Sequence, residues 1–317
     1  MRREGSPFTG LSTIALKEAA DHMTSARMHL VMLLVLLTAG GAIYAAIGQI
    51  KNTVGQDPFL FLRLFTTAQQ PLPSFVAFLG FLLPLVGIAL GFDGINGEYG
   101  RRTMSRVLAQ PIYRDAVLAG KFIGGLIVLA ICLVTLWLLM TGLGILLLGL
   151  PPSGEEVLRG IGFLIASLAY AGIWLAASLL FSTIFRSPAT SALAALTFWL
   201  LFAVFWSMLT PLIANAISPV DAYDPSTAVA NAYWSDGISR ISPSTLYGQM
   251  MQGLLDPSTR AFGVIFLSQI QGALMQAPLS FSQSALLVWP QIAGLVAGTV
   301  LLYTLAYVVF QRQEIRA

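Results

Sequence analysis

Charge is what this sequence has least of. Only 10% of its 317 residues are charged, against roughly a quarter in an ordinary soluble domain. It has one cysteine, Cys132, so no internal disulfide can form, and that residue reads as a small side chain buried in an apolar run. Its two histidines, His22 and His29, stand seven apart near the N-terminus. That is not metal-ligand spacing, and it leaves no serine with a catalytic partner. The net charge of +3 is spread over several segments, which argues against nucleic acid as a partner. A phosphate-cradling loop is also missing: Gly120-Lys121 is followed by Phe122, and Asp115 stands where the first glycine would be. Glu155-Glu156-Val157-Leu158-Arg159 is one residue short of the motif of membrane-embedded CAAX-type proteases, and no downstream histidine completes it. The chain therefore reads as a non-enzyme with no cofactor or metal of its own. Met250-Met251 is no copper site, because adjacent helical residues do not share a face.

What is abundant is apolar surface. Hydrophobic residues make up 56% of the chain, more than one water-soluble core can bury, so lipid must be the solvent for much of it. Six runs are long enough to cross a bilayer: about 30–47, 75–92, 122–150, 157–185, 189–214 and 286–310. The polar N-terminus does not suit a cleaved signal peptide, so the first run is expected to stay as a span. An even number of spans places both termini on one side, with twelve basic residues there and five on the other. By the positive-inside rule the richer side is cytoplasmic, in a cell (inner or plasma) membrane. The spans carry almost no ionisable side chains, so a carrier driven by protons or sodium through a midplane carboxylate loses support.

Between the spans the sequence predicts an all-α integral membrane protein built as one domain over 1–317. Residues 1–29 form a cytoplasmic segment with an interfacial helix at about 12–28, its charges mixed with Leu11, Ala15 and Met23. Residues 95–115 form the main cytoplasmic loop. There Met104, Val107 and Leu108 share a helical face while Arg102 and Arg106 take others, and Pro111 stops the helix. Arginines beside a span also serve as plain topology signals, and each alone reads that way. Residues 215–285 form an extracytoplasmic helical insertion. Ser242-Pro243 marks a helix start with Leu246, Met250 and Leu254 on one face, and Asp256 or Ser258 could cap a second helix from about 259 to 275. The two would pack over the span ends, as a structural lid or as a gate. Pro84 interrupts the second span, either as a static kink or as a bend that transmits movement.

Read from Leu82 to Lys121, the chain resembles the membrane subunits of ABC-2 type transporters, especially the copper-enzyme maturation (NosY-like) branch. The residues that carry the resemblance are Pro84-Leu85, Asp93, Glu98, Thr103, Leu108, Pro111-Ile112, Arg114 and Gly120-Lys121, with Lys17-Glu18 ahead of the first span. The glycine usual before the threonine is replaced by Arg102. The resemblance implies a permease subunit, an exporter, that pairs with a second copy or a similar subunit. Two cytoplasmic ATPase subunits would bind ATP and magnesium and dock beneath it. It also implies that the loop after span two is a coupling helix, with Glu98, Arg101, Arg102, Thr103, Met104, Arg106, Val107, Leu108, Pro111 and Arg114 as the contact set and Pro84 as the hinge. An alternative keeps the ATPase but not the transport: a membrane scaffold whose external segment holds an extracytoplasmic partner.

Overall fold

The computed structural model describes residues 10–50, 59–68, 73–104, 109, 113–149, 151–221, 223–263 and 278–313. Helix α1 is Leu11–Met23 and α2, the first span, is Ala26–Ile50. A short α3, Leu60–Thr66, follows, then α4, Phe75–Gly91, and the single turn α5, Asn96–Gly100. Spans three and four are α6, Arg114–Leu148, and α7, Gly154–Ile184. Span five is α8, Pro188–Leu200, which passes through a π turn, Leu201–Phe205, into α9, Trp206–Ile217. Then come α10, Pro225–Ser239, α11, Pro243–Leu255, and the last span, α12, Phe281–Arg312. Among the described residues six helices are long and apolar enough to cross a membrane, and none forms a strand.

Spans two and four form the centre of the bundle, because glycine lets their backbones meet. A Cβ on Gly87 would lie 2.8 Å from the Ala171 carbonyl, and one on Gly91 2.9 Å from Ser178 Cβ. Ser178 then donates to the Ile88 carbonyl at 2.9 Å. Pro84 is buried in the same helix and has no N–H to offer the Gly80 carbonyl four residues back. Tyr170 of α7 donates to that carbonyl instead, at 2.9 Å. Spans five and six lie at the periphery, with long apolar faces turned outward, such as Leu193, Leu212, Leu286 and Leu301.

The segment between spans five and six departs from the expected cap. After α9 the chain reverses where Asp221 bridges Asp224, and α10 runs back down beside it: Trp206 donates to the Ile238 carbonyl, and Asn231 bonds Asn215 and Ser218. A turn at 240–242 sends α11 upward between spans two, four and six. Ser242 is the N-cap residue of α11 with Pro243 opening the helix, as expected, but its hydroxyl makes no cap bond and donates instead to the Phe202 carbonyl in the π turn of span five at 2.9 Å. Ser244 meets the Tyr170 hydroxyl, and Tyr247 stacks on the Tyr170 ring at 4.3 Å. The hairpin therefore dips to the middle of spans four and five, where the stack and hydrogen bonds replace the lid contacts expected over the span ends. No helix starts at Thr259. Asp256 does hold Ser258 and Thr259 in a turn, but the chain then stays non-helical through Gly263, whose φ of 87 breaks a helix, while Phe262 packs on Gly253. The rest of the expected helix lies outside the described residues. The short α3 and α10 have no counterpart among the helices expected from sequence.

Candidate functional site

One end of the bundle gathers α1, the start of α2, α5, the start of α6 and the ends of α7 and α12. Two glycines seat α1 on span three: a Cβ on Gly120 would strike Ile14 at 2.6 Å, and one on Gly124 the Ala15 carbonyl at 2.8 Å. That docking buries Glu18, whose Oε1 lies 2.8 Å from Lys121 Nζ. The same ammonium lies 3.5 Å from Glu98 Oε1, and the Thr103 hydroxyl donates to the other oxygen of Glu98. Lys121 is only 6% exposed. A buried cation shared by two carboxylates is stable only because every partner is present. The ammonium thus ties α1, the turn after span two and span three at one point.

The network extends outward. Lys17 bridges Glu18 and Asp21, and burial, which would lower the lysine, is outweighed by these two acids, so its pKa is raised. Arg27, one residue into α2, pairs with Asp93 at 2.8 Å and lies over the Phe92 ring. His22 faces the same cluster, and burial holds it below its ordinary value against the pull of Glu18 and Asp93. These side chains line a polar cavity of about 320 Å³ that also reaches Arg101. Next to it a groove of about 940 Å³ opens between Asn96, Tyr99, Thr183, Arg186 and Gln313. Ser182 receives the backbone N–H groups of Ile95 and Asn96, which fixes the turn after span two on the end of span four.

The residues expected to form a contact set divide. Arg101 and Arg102 are exposed beyond α5, on the open side of the end. Arg102 is the one non-glycine residue with a left-handed backbone among those described, at φ 55. It occupies the position where the family's glycine is usual, so the turn keeps its shape without the residue that fits it best. Glu98 and Thr103 are internal, bonded to Lys121 and to each other. Met104 turns inward, 2% exposed, into a small core with Ile95, Leu118, Leu180 and Phe310, and so presents no apolar face to a partner. Arg114 opens α6 and reaches the Gln313 carbonyl at the end of span six. Arg106, Val107, Leu108 and Pro111 lie outside the described residues.

Sequence reasoning missed how these pieces meet. Lys17-Glu18 and Gly120-Lys121 stand about a hundred residues apart, and only the docking of α1 on Gly120 and Gly124 pairs their charges. It also missed Arg159 at the opposite end. That guanidinium is fully buried, and it bonds Glu155, the Leu254 carbonyl that ends α11, Leu279 and Ser284. Glu156 closes a capping box with Ser153 and accepts the Phe61 N–H at 2.8 Å. Structural bonds thus account for the three charged residues of the Glu-Glu-Val-Leu-Arg run.

A family model described as ABC-2 family transporter protein matches residues 12–315. A protein named "Probable ABC transporter permease protein NosY" from Stutzerimonas stutzeri is 26% identical over 309 residues, 95% of this chain and 97% of its own. Its namesake from Pseudomonas aeruginosa is 28% identical over 205 residues, 62% of this chain and 68% of its own. With a match spanning all six membrane-crossing helices and both ends of the charged cluster, the chain belongs to the ABC-2 family of transporter membrane subunits.

Proposed function

We propose that this membrane subunit exports a substrate with ATP hydrolysed by two copies of a separate cytoplasmic ATPase, which seat on the end that carries α1. The observation that carries the reading is the Lys121 junction. One ammonium joins α1, the turn after span two and span three, while Ser182 joins that turn to span four. A push on Arg101 and Arg102 therefore has a short, polar, well-packed route to three spans. From span two it can continue through the Gly80 carbonyl and Tyr170 to the re-entrant hairpin. In this reading the α1 end faces the cytoplasm, and a second permease subunit completes the pathway.

The test is co-expression with the ATPase subunit of the same transporter. The two should co-purify, and ATP turnover should be confined to the assembled complex. Charge reversal at Arg101 and Arg102 should lower ATPase recovery about tenfold or more with the permease still folded. Unchanged recovery and turnover would place the docking surface elsewhere.

A further inference from the structure

Among the described residues, the charges set deepest between the two ends of the bundle lie on no span. Asp236 and Arg240 sit at the end of α10, paired at 2.8 Å. Arg240 precedes by two residues the Ser242 hydroxyl that bonds Phe202, and Phe202 is at the middle of Pro188–Ile217. From Leu254, held at the outer end by Arg159, to Ser242 the helix descends about 18 Å. The hydrocarbon of a bilayer is about 30 Å thick, so the tip stands near its centre.

At that depth an arginine cannot snorkel to either surface, and left in lipid it is strongly unfavourable. Charges that persist there face a partner or water. Arg240 has a partner for only part of its guanidinium. Its Nε is buried, but its side chain as a whole is 37% exposed against 19% for Asp236. The carboxylate, in contrast, is walled in: a Cβ on Gly263 would lie 2.7 Å from its Oδ2. The pair thus shows its cationic side and hides its anionic one.

We infer that the hairpin tip lines a water-accessible part of the translocation path, and that Arg240 is a binding point there for an anionic group of the transported solute, a carboxylate, sulfonate or phosphate. The outward-facing terminal N–H donors of the guanidinium suit such a group. Asp236 holds the side chain in place and keeps the empty site neutral. The assignment does not depend on where the ATPase docks.

Ile241 is 58% exposed beside Arg240 and supplies the probe position. The full chain, with the buried Cys132 replaced by alanine and Ile241→Cys introduced, is placed in lipid nanodiscs. It is then treated with methanethiosulfonate reagents of opposite charge, sulfonatoethyl and trimethylammonium-ethyl. Both should react, the anionic one faster. Arg240→Gln should reverse the preference by about tenfold, and Asp236→Asn should raise the anionic rate by a similar factor. The Asp236→Asn arm keeps the test informative if Arg240→Gln does not fold. No reaction with either reagent would mean that lipid or another subunit covers the tip, and would overturn the proposal. Reaction at a charge preference that neither substitution changes would overturn the anion assignment.

Discussion

At the scale of single residues, two positions at the α1 end stand out: a strained backbone at Arg102 and a buried cation at Lys121. Arg102 holds a left-handed turn that costs an L-residue about 1 kcal/mol. Arg102→Gly should therefore hold or raise the midpoint of thermal unfolding in detergent, and Arg102→Val should lower it, since a branched Cβ tolerates that backbone least. The glycine expected from the family pattern signals what the backbone does there even though an arginine fills the position. Lys121 is the second. Lys121→Met leaves Glu98 buried without a cation and Glu18 with only the exposed Lys17, and should destabilise by about 3–5 kcal/mol. Adding Glu18→Gln and Glu98→Gln should recover most of that loss. His22 adds a pH dependence. Its folded pKa is depressed by burial below the ordinary histidine value of about 6.5. Its contribution is thus fully present above that value and is lost as pH falls through the folded pKa, because the exposed imidazole takes up a proton more readily. Protease access to α1 should rise as the pH drops below about 6.5, and His22→Gln should flatten that rise.

At the scale of elements, the sequence was most legible where apolar runs are long. All six spans appear where hydropathy places them, with α6 starting earlier, at Arg114, and α12 at Phe281. It was least legible where a helix owes its position to partners from distant parts of the chain. Nothing in Pro243–Leu255 announces that Tyr247 will stack on Tyr170, so a buried re-entrant helix reads like a surface one. Pro84 is the instructive case. Its effect on span two was readable, but the group that answers it was not: the Gly80 carbonyl is satisfied by Tyr170, which also meets Ser244 of the hairpin. A double-mutant cycle checks this link. Tyr170→Phe should cost about 1 kcal/mol when Pro84 is present and clearly less in a Pro84→Ala background, where the helix supplies its own donor. Arg159 fixes the other end of the same helix. Arg159→Met strands the Leu254 carbonyl and Glu155, and should loosen α11 so that a cysteine at Met251, buried in the native protein, becomes reactive.

At the scale of the whole molecule, the charges sort into three levels. The α1 end holds the Lys121 network, the opposite end holds Arg159, and the hairpin tip between them holds Asp236 and Arg240. Spans two and four join the levels, through glycine contacts and through Tyr170. In the proposed transporter the ATPase acts on the first level, and the substrate meets the third. In that arrangement the engine seats on the α1 end. The direct measurement is site-specific photo-crosslinking to the co-expressed ATPase, with a benzophenone side chain at exposed Gly100 or Arg101 in one sample and at exposed Tyr223 or Trp234 in another. The account predicts ATPase adducts from the first pair and none from the second. Adducts from Tyr223 or Trp234, with none from Gly100 or Arg101, would contradict it.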